Sequence, residues 1–188
     1  AMKYGWLALL AEPLATSFSI FDNQALFHEA VGRVTGMDKE ALAKLPPAFS
    51  GCLENQQLLV VSPDLFTHLN PEALEPHFYY KLLAHELAHR LHIRVLTGKE
   101  DLMGPTWFYE GFACHVAGQF ESNMVRLSPP ELAAMMNSPE RGSYRKYASI
   151  LHRLTRKHHL PELVARAAEP GFTEQCLAEL SSRSRVRT

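Results

Sequence analysis

Neither sign of charge dominates this chain: Lys and Arg number 19 against 20 for Asp and Glu, a formal net charge of -1. That balance excludes the basic footprint on which non-specific nucleic-acid or anionic-membrane binding depends. Cysteine is scarce, with only Cys52, Cys114 and Cys176, an odd number never spaced as C-x-x-C. No disulfide framework is legible, and a reducing, cytoplasmic compartment is expected. No stretch approaches the ~20 apolar residues that span a bilayer. Met2 after Ala1 reads as the native start, and Lys3 to Ala11 as a candidate signal segment that Glu12 and Pro13 cut short. Repeats and low-complexity tracts are absent too, which excludes solenoids and arrays. The basic tail of Arg183, Arg185 and Arg187 reads as a solvated end.

What is present suits a folded domain. The chain has 188 residues, 46% hydrophobic and 21% charged, near the average for soluble globular proteins and long enough to bury a substantial core. Residues 1–188 are expected to form one domain, with a small sheet and helices over about 1–70 and a helical part over about 71–188.

The spacing of Ala25, Leu26, Ala30, Val31 and Val34 after Asp22 predicts a helix stopping at Gly36, and Asp38 caps a shorter one through Leu45. Phe49 to Ser62 reads as extended strand around the polar Glu54-Asn55-Gln56-Gln57. A turn-rich passage from Pro63 to Pro76 follows. His77 to Thr97 has no internal breaker and apolar residues on every face, which predicts a buried helix. Beyond a polar connector over Gly98 to Gly104, Pro105 opens a helix from about Thr106 to Phe120. Pro129-Pro130 starts a short helix, Ser138 to Gly142 breaks, and Ser143 caps a helix to about His159. Pro161 to Ala168 completes the helical set, with Thr173 to Ser181 left undecided. The fold class is α+β and mostly helical.

The chemistry is concentrated in His85-Glu86-Leu87-Ala88-His89, a match to H-E-x-x-H. Residues four apart on a helix share a face, so two imidazoles can converge on one cation with the glutamate beside it. With ten histidines in the chain, composition gives roughly 0.04 chance matches, so accident is a poor explanation. A second feature supports a site. Glu110 stands alone in the apolar run Trp107-Phe108-Tyr109-Glu110-Gly111-Phe112-Ala113, where a carboxylate is costly to bury without a partner. A zinc ion would be that partner, completing two histidines and one carboxylate with a fourth position open to water. His92, on the same stripe as His85, is the rival third ligand, but three histidines over two turns of one helix strain a tetrahedral site.

His85, His89 and Glu110, with twenty residues between the last two, resemble the ligand set of the gluzincins, the thermolysin-like zinc metallopeptidases. Trp107 to Ala113 resembles the W-L-N-E-G-F-A segment of the alanyl-aminopeptidase type, although the intervening stretch there is slightly shorter and Tyr109 replaces an asparagine. Gly51-Cys52-Leu53-Glu54-Asn55 is similar to that family's G-A-M-E-N strand at Gly51, Glu54 and Asn55. The likeness implies that these three bind substrate and that Glu54 anchors a free amino end. Tyr144-Arg145-Lys146-Tyr147-Ala148 resembles the Y-E-K-G-A segment, whose tyrosine stabilises the oxyanion. That role falls to Tyr144, with Tyr147 one turn away as the substitute. The metzincin pattern fails, since it wants Gly at 92 and His at 95, where His92 and Val95 stand.

The resemblance covers about 49–163 and implies a zincin-like core, with the small sheet packed beside the H-E-x-x-H helix. It also implies one Zn²⁺, Glu86 as general base, and a peptide or protein substrate. The large domains flanking the core in true aminopeptidases have no room here, so substrate size and cleavage preference do not transfer. An endopeptidase of the same fold, a non-catalytic zinc-bearing binding module and a metal-free helical domain are the competing expectations.

Overall fold

The computed structural model describes residues 1–71, 75 and 77–182. Pro76, expected to end the turn-rich passage, and the arginine tail at 183, 185 and 187 lie outside the described residues. Two short 3-10 turns, Met2–Tyr4 and Leu7–Leu10, open the chain. The candidate signal segment is thereby packed against the body. Trp6 is buried and sits 5.8 Å from the Phe112 ring, and Arg94 donates to the carbonyls of Leu9, Glu12 and Pro13.

Strand β1 (Ser17–Phe21) leads through helices α1 (Gln24–Thr35) and α2 (Lys39–Ala43) to a hairpin of β2 (Gly51–Glu54) and β3 (Gln57–Val61). Asn23 and Asp38 cap the two helices by accepting from Leu26 N and Ala41 N. The sheet order is β1-β3-β2, with β1 parallel and β2 antiparallel to β3. Asn55 and Gln56 turn the hairpin in left-handed conformations, φ 48 and 61, where a primed two-residue turn matches the twist of the strands. Strand β2 is thus an edge, pairing only with β3 among the described residues.

Three elements differ from expectation. Strand β1 is additional to the predicted sheet. The passage after Ser62 begins with a helix, α3 (Pro63–Leu69), because Ser62 accepts from Leu65 N and Pro63 takes the first-turn position that needs no amide hydrogen. The helix expected to run to about His159 ends sooner, as α7 (Tyr144–Thr155), and His159 in extended conformation takes the N-cap of the helix expected over Pro161 to Ala168, which is α8 (Leu160–Arg166).

The other helices are α4 (Phe78–Val95), α5 (Thr106–Ala117), α6 (Pro129–Met136) and α9 (Phe172–Ser182), the last over the undecided segment. The α+β, mostly helical class holds. Helix α4 is only partly buried, against the expectation of burial on every face. Its buried residues are His85, Ala88, Leu91 and His92, and the adjoining face of Leu82, Glu86, His89 and Ile93 borders an open groove. Two apolar clusters result. One gathers Trp107, Phe108, Phe112, Ile150, Leu151 and Leu163 between the helices; the other seats Phe27, Val31, Leu59, Val61 and Phe66 between α1, the sheet and α3. No helix among the described residues is long and apolar enough to cross a membrane.

Candidate metal centre

Helices α4 and α5 pack closely along their lengths, and the site forms where they meet. On α4, the four-residue spacing puts His85 and His89 one turn apart, with their Nε2 atoms 3.2 Å from each other. Across from them, Glu110 of α5 brings Oε2 to 3.2 Å from His85 Nε2 and 3.5 Å from His89 Nε2. One ligand atom from each residue lies within 4.8 Å of the other two. Among the described residues this is the only His/Cys/Asp/Glu group that could hold an ion.

The surroundings fix these side chains. His85 is buried, and its Nδ1 lies 2.9 Å from Gln119 Oε1. With that oxygen accepting from Nδ1–H, the neutral ring would turn its Nε2 lone pair toward His89 and Glu110, the arrangement a metal ion needs. Gln119 is buried just past the end of α5, where its backbone N–H donates to Cys114 O. The Cys114 sulfur lies 3.7 Å from the same Nδ1. Glu110 is 1% exposed, and its Oε2 accepts no hydrogen bond although two imidazoles lie close by. A buried carboxylate oxygen left without a hydrogen bond is costly, and a divalent cation between the three donors would relieve it. The two-nitrogen, one-oxygen set fits such an ion on the observations of this site alone.

Burial by itself raises the Glu110 carboxyl, but the two imidazoles outweigh it and hold the group well below the usual carboxylate range. Burial likewise lowers His85, and Cys114, Glu110 and Glu86 reverse the sign and raise it. The cluster therefore stays a carboxylate that attracts positive charge, whether protons or a metal.

Glu86 points to the sheet side of α4. Its carboxylate lies against Gly51 of β2, where a Cβ would stand 2.9 Å from Glu86 Oε1; the absence of a side chain at 51 makes room for the acid. Glu54 and Asn55 border the same groove. Asn55 also donates through Nδ2 to Val34 O at 3.3 Å, tying the hairpin to α1.

Between the two tyrosines the structure discriminates. Gly111 lets α7 approach α5 closely, since a Cβ there would stand 3.0 Å from Tyr147 O. Tyr144, at the start of α7, lies edge-on to His85 with ring centroids 5.6 Å apart. Burial, with the nearby Glu110 and Glu86 charges, pushes its phenol far above the usual tyrosine range, so it remains a proton donor. Tyr147 is turned elsewhere. Its ring is 1% exposed and its hydroxyl donates to Glu140 O at 2.6 Å, which takes it out of the oxyanion role held open for it.

His92 is also settled. It is fully buried and stacked on Phe112 at 4.1 Å, with no hydrogen-bond partner on either ring nitrogen. Burial, aided by His89, pushes it down to about 3, so it is neutral core rather than a ligand.

Two participants were missed in the sequence. Gln119 falls past the apolar run, and Arg141 lies in the segment read as a break. Arg141 Nε is 3.4 Å from Glu110 Oε1 and donates to Tyr109 OH at 3.1 Å. No periodicity could have pointed to either.

The centre opens on a groove of about 1810 Å³ bordered by β2, α4, Tyr109, Arg126 and the start of α7. That exceeds the ~300–1,000 Å³ of ordinary small-molecule pockets and suits a chain segment. No family model, no curated protein and no solved structure matches this chain.

Proposed function

We propose that the chain is a zinc-dependent peptidase of the gluzincin kind, cutting peptide bonds with metal-activated water and Glu86 as general base. The observation that carries this reading is the meeting of His85, His89 and Glu110, with Glu110 Oε2 buried and unbonded between the imidazoles. A zincin-like core is supported by the placement of β2 beside the H-E-x-x-H helix, with Gly51 against Glu86. The cysteines are all unbonded, which suits the cytoplasmic address.

Zinc, when bound, polarises the scissile carbonyl and lowers the pKa of water to about 7. The chain supplies the rest. Glu86 is on the same helix as the histidines but is not one of the three converging donors. It takes the proton from the attacking water and delivers it to the departing amine, a role commonly worth ~10² to 10⁴ in rate. Tyr144 donates to the carbonyl oxygen as negative charge develops there. The free edge of β2 offers backbone groups to an extended substrate, and Glu54 at its end is the candidate anchor for a free amine. The size of the groove favours a second reading, an endopeptidase. Acetylating the amino end of a good substrate separates the two, since an aminopeptidase held by Glu54 would stop.

The test of the central reading is hydrolysis of a pool of short peptides by the purified chain, with and without a chelator, alongside Glu86→Gln. The expected result is activity that the chelator abolishes and zinc restores, with Glu86→Gln keeping metal and losing turnover. Wild-type turnover by Glu86→Gln would refute the base assignment.

A further inference from the structure

The two oxygens of Glu110 have different neighbours. Oε2 faces the imidazoles and accepts no hydrogen bond. Oε1 lies 3.4 Å from the Nε of Arg141. The Nε–H donates to Tyr109 OH and the guanidinium carbon lies 5.4 Å from the Tyr109 ring centroid, so Tyr109 anchors the group while its positive charge, not a hydrogen bond, meets Oε1. We propose that Arg141 is a positioning residue of the metal centre: it claims Oε1 of Glu110 and so presents the carboxylate to the cation through Oε2 alone. This rests on the metal reading above.

The segment between α6 and α7 is built to deliver that contact. Thr106 at the start of α5 donates to Pro139 O at 3.2 Å, and Tyr147 of α7 donates to Glu140 O at 2.6 Å. Two neighbouring carbonyls are thus pinned immediately before Arg141. Tyr147 acquires a role by this route, holding the segment rather than touching substrate.

A carboxylate with both oxygens free can rotate or bind a cation through either or both. Arginine restricts it because its planar, permanent charge is anchored by Tyr109 beside Oε1, unlike the compact and freely moving ammonium of lysine. Groups that orient metal ligands in this way typically contribute ~10- to 100-fold in metal affinity. The Arg141 side chain is 63% exposed, and exposed ion pairs add little to folding. The effect of removing it should therefore appear in metal binding and leave the metal-free fold nearly unchanged.

The experiment titrates metal-free wild type, Arg141→Gln and Arg141→Lys with zinc against a chromophoric chelator, and records the melting temperature of each metal-free protein. The expected result is a loss of about 10- to 100-fold in zinc affinity for Arg141→Gln, a smaller loss for Arg141→Lys, and unchanged metal-free melting. Cobalt(II) adds a signature independent of turnover. Its visible bands should weaken in Arg141→Gln as the second oxygen of Glu110 joins and the coordination number rises. Wild-type zinc affinity and an unchanged cobalt spectrum in Arg141→Gln would overturn the proposal. If Arg141→Gln melts lower without metal, Tyr147→Phe decides instead: it keeps the guanidinium but loosens the segment, and unaltered zinc affinity there overturns the proposal equally. Should wild type take up no divalent cation, the function proposed above falls first and this inference with it.

Discussion

Gly51→Ala probes the contact between β2 and helix α4 at Glu86. A Cβ at 51 would lie 2.9 Å from Glu86 Oε1, 3.0 Å from its Cγ and 3.1 Å from its Cδ. Restoring ordinary contact of ~3.5–4.0 Å requires the carboxylate to retreat by about 0.5–1 Å. Gly51 is in a regular strand without positive φ, so alanine suits its backbone, and the obstructing atoms are the free end of a side chain that can swing. The fold and the three ligands should therefore survive while the base is displaced. A misplacement of about 1 Å commonly costs ~10²-fold in rate, or about 2.7 kcal/mol of transition-state stabilisation. Complete loss of the base sets the far limit at ~10⁴. The assay measures kcat and KM on a short peptide together with zinc content and melting temperature. The expected outcome is a fall in kcat of about two orders of magnitude with full metal loading and little change in melting. Wild-type kcat in a folded, zinc-loaded Gly51→Ala would refute the reasoning that this glycine exists to admit Glu86.

Tyr144→Phe should lower kcat by ~10²- to 10³-fold with modest change in KM, as removal of an oxyanion donor does. Tyr147→Phe should instead lower zinc affinity and spare kcat in the zinc-loaded protein, since it strips Glu140 O, beside Arg141, of its donor; equal kcat losses from the two would contradict their separation. His92 makes acid stability testable in the metal-free protein. Its ionisation is depressed to about 3 by burial and His89, against ~6.5 when unfolded. The unfolded chain thus binds the extra proton first, and the stabilisation, complete above about 6.5, is lost as pH falls toward 3. Chemical unfolding across that range should give a shallower pH dependence for His92→Leu than for wild type; identical slopes would contradict it.

Local spacing made the candidate ligands legible. His85 and His89 are one helical turn apart in a single segment, and Glu110 is a carboxylate in a run too apolar to leave it unpaired. The residues that orient them were not legible, because Gln119 and Arg141 arrive from a helix end and an irregular segment whose placement depends on tertiary packing. The choice between Tyr144 and Tyr147 depended on which way a hydroxyl points, and the sequence supplies the same residue type in both places. Strand β1 escaped notice for a related reason. Its Phe18 and Ile20 are each 52% exposed, so its alternation does not mark a buried face. Helix α3 carries legible start signals in Ser62 and Pro63, but it is only seven residues long and the turn-forming residues around it mask them.

The most direct measurement is elemental analysis of the purified chain and of Glu110→Ala after loading with zinc and removal of excess. The account expects one tightly held zinc per wild-type chain and its loss from the variant. A wild-type chain that retains none, or a variant that retains as much, would contradict it.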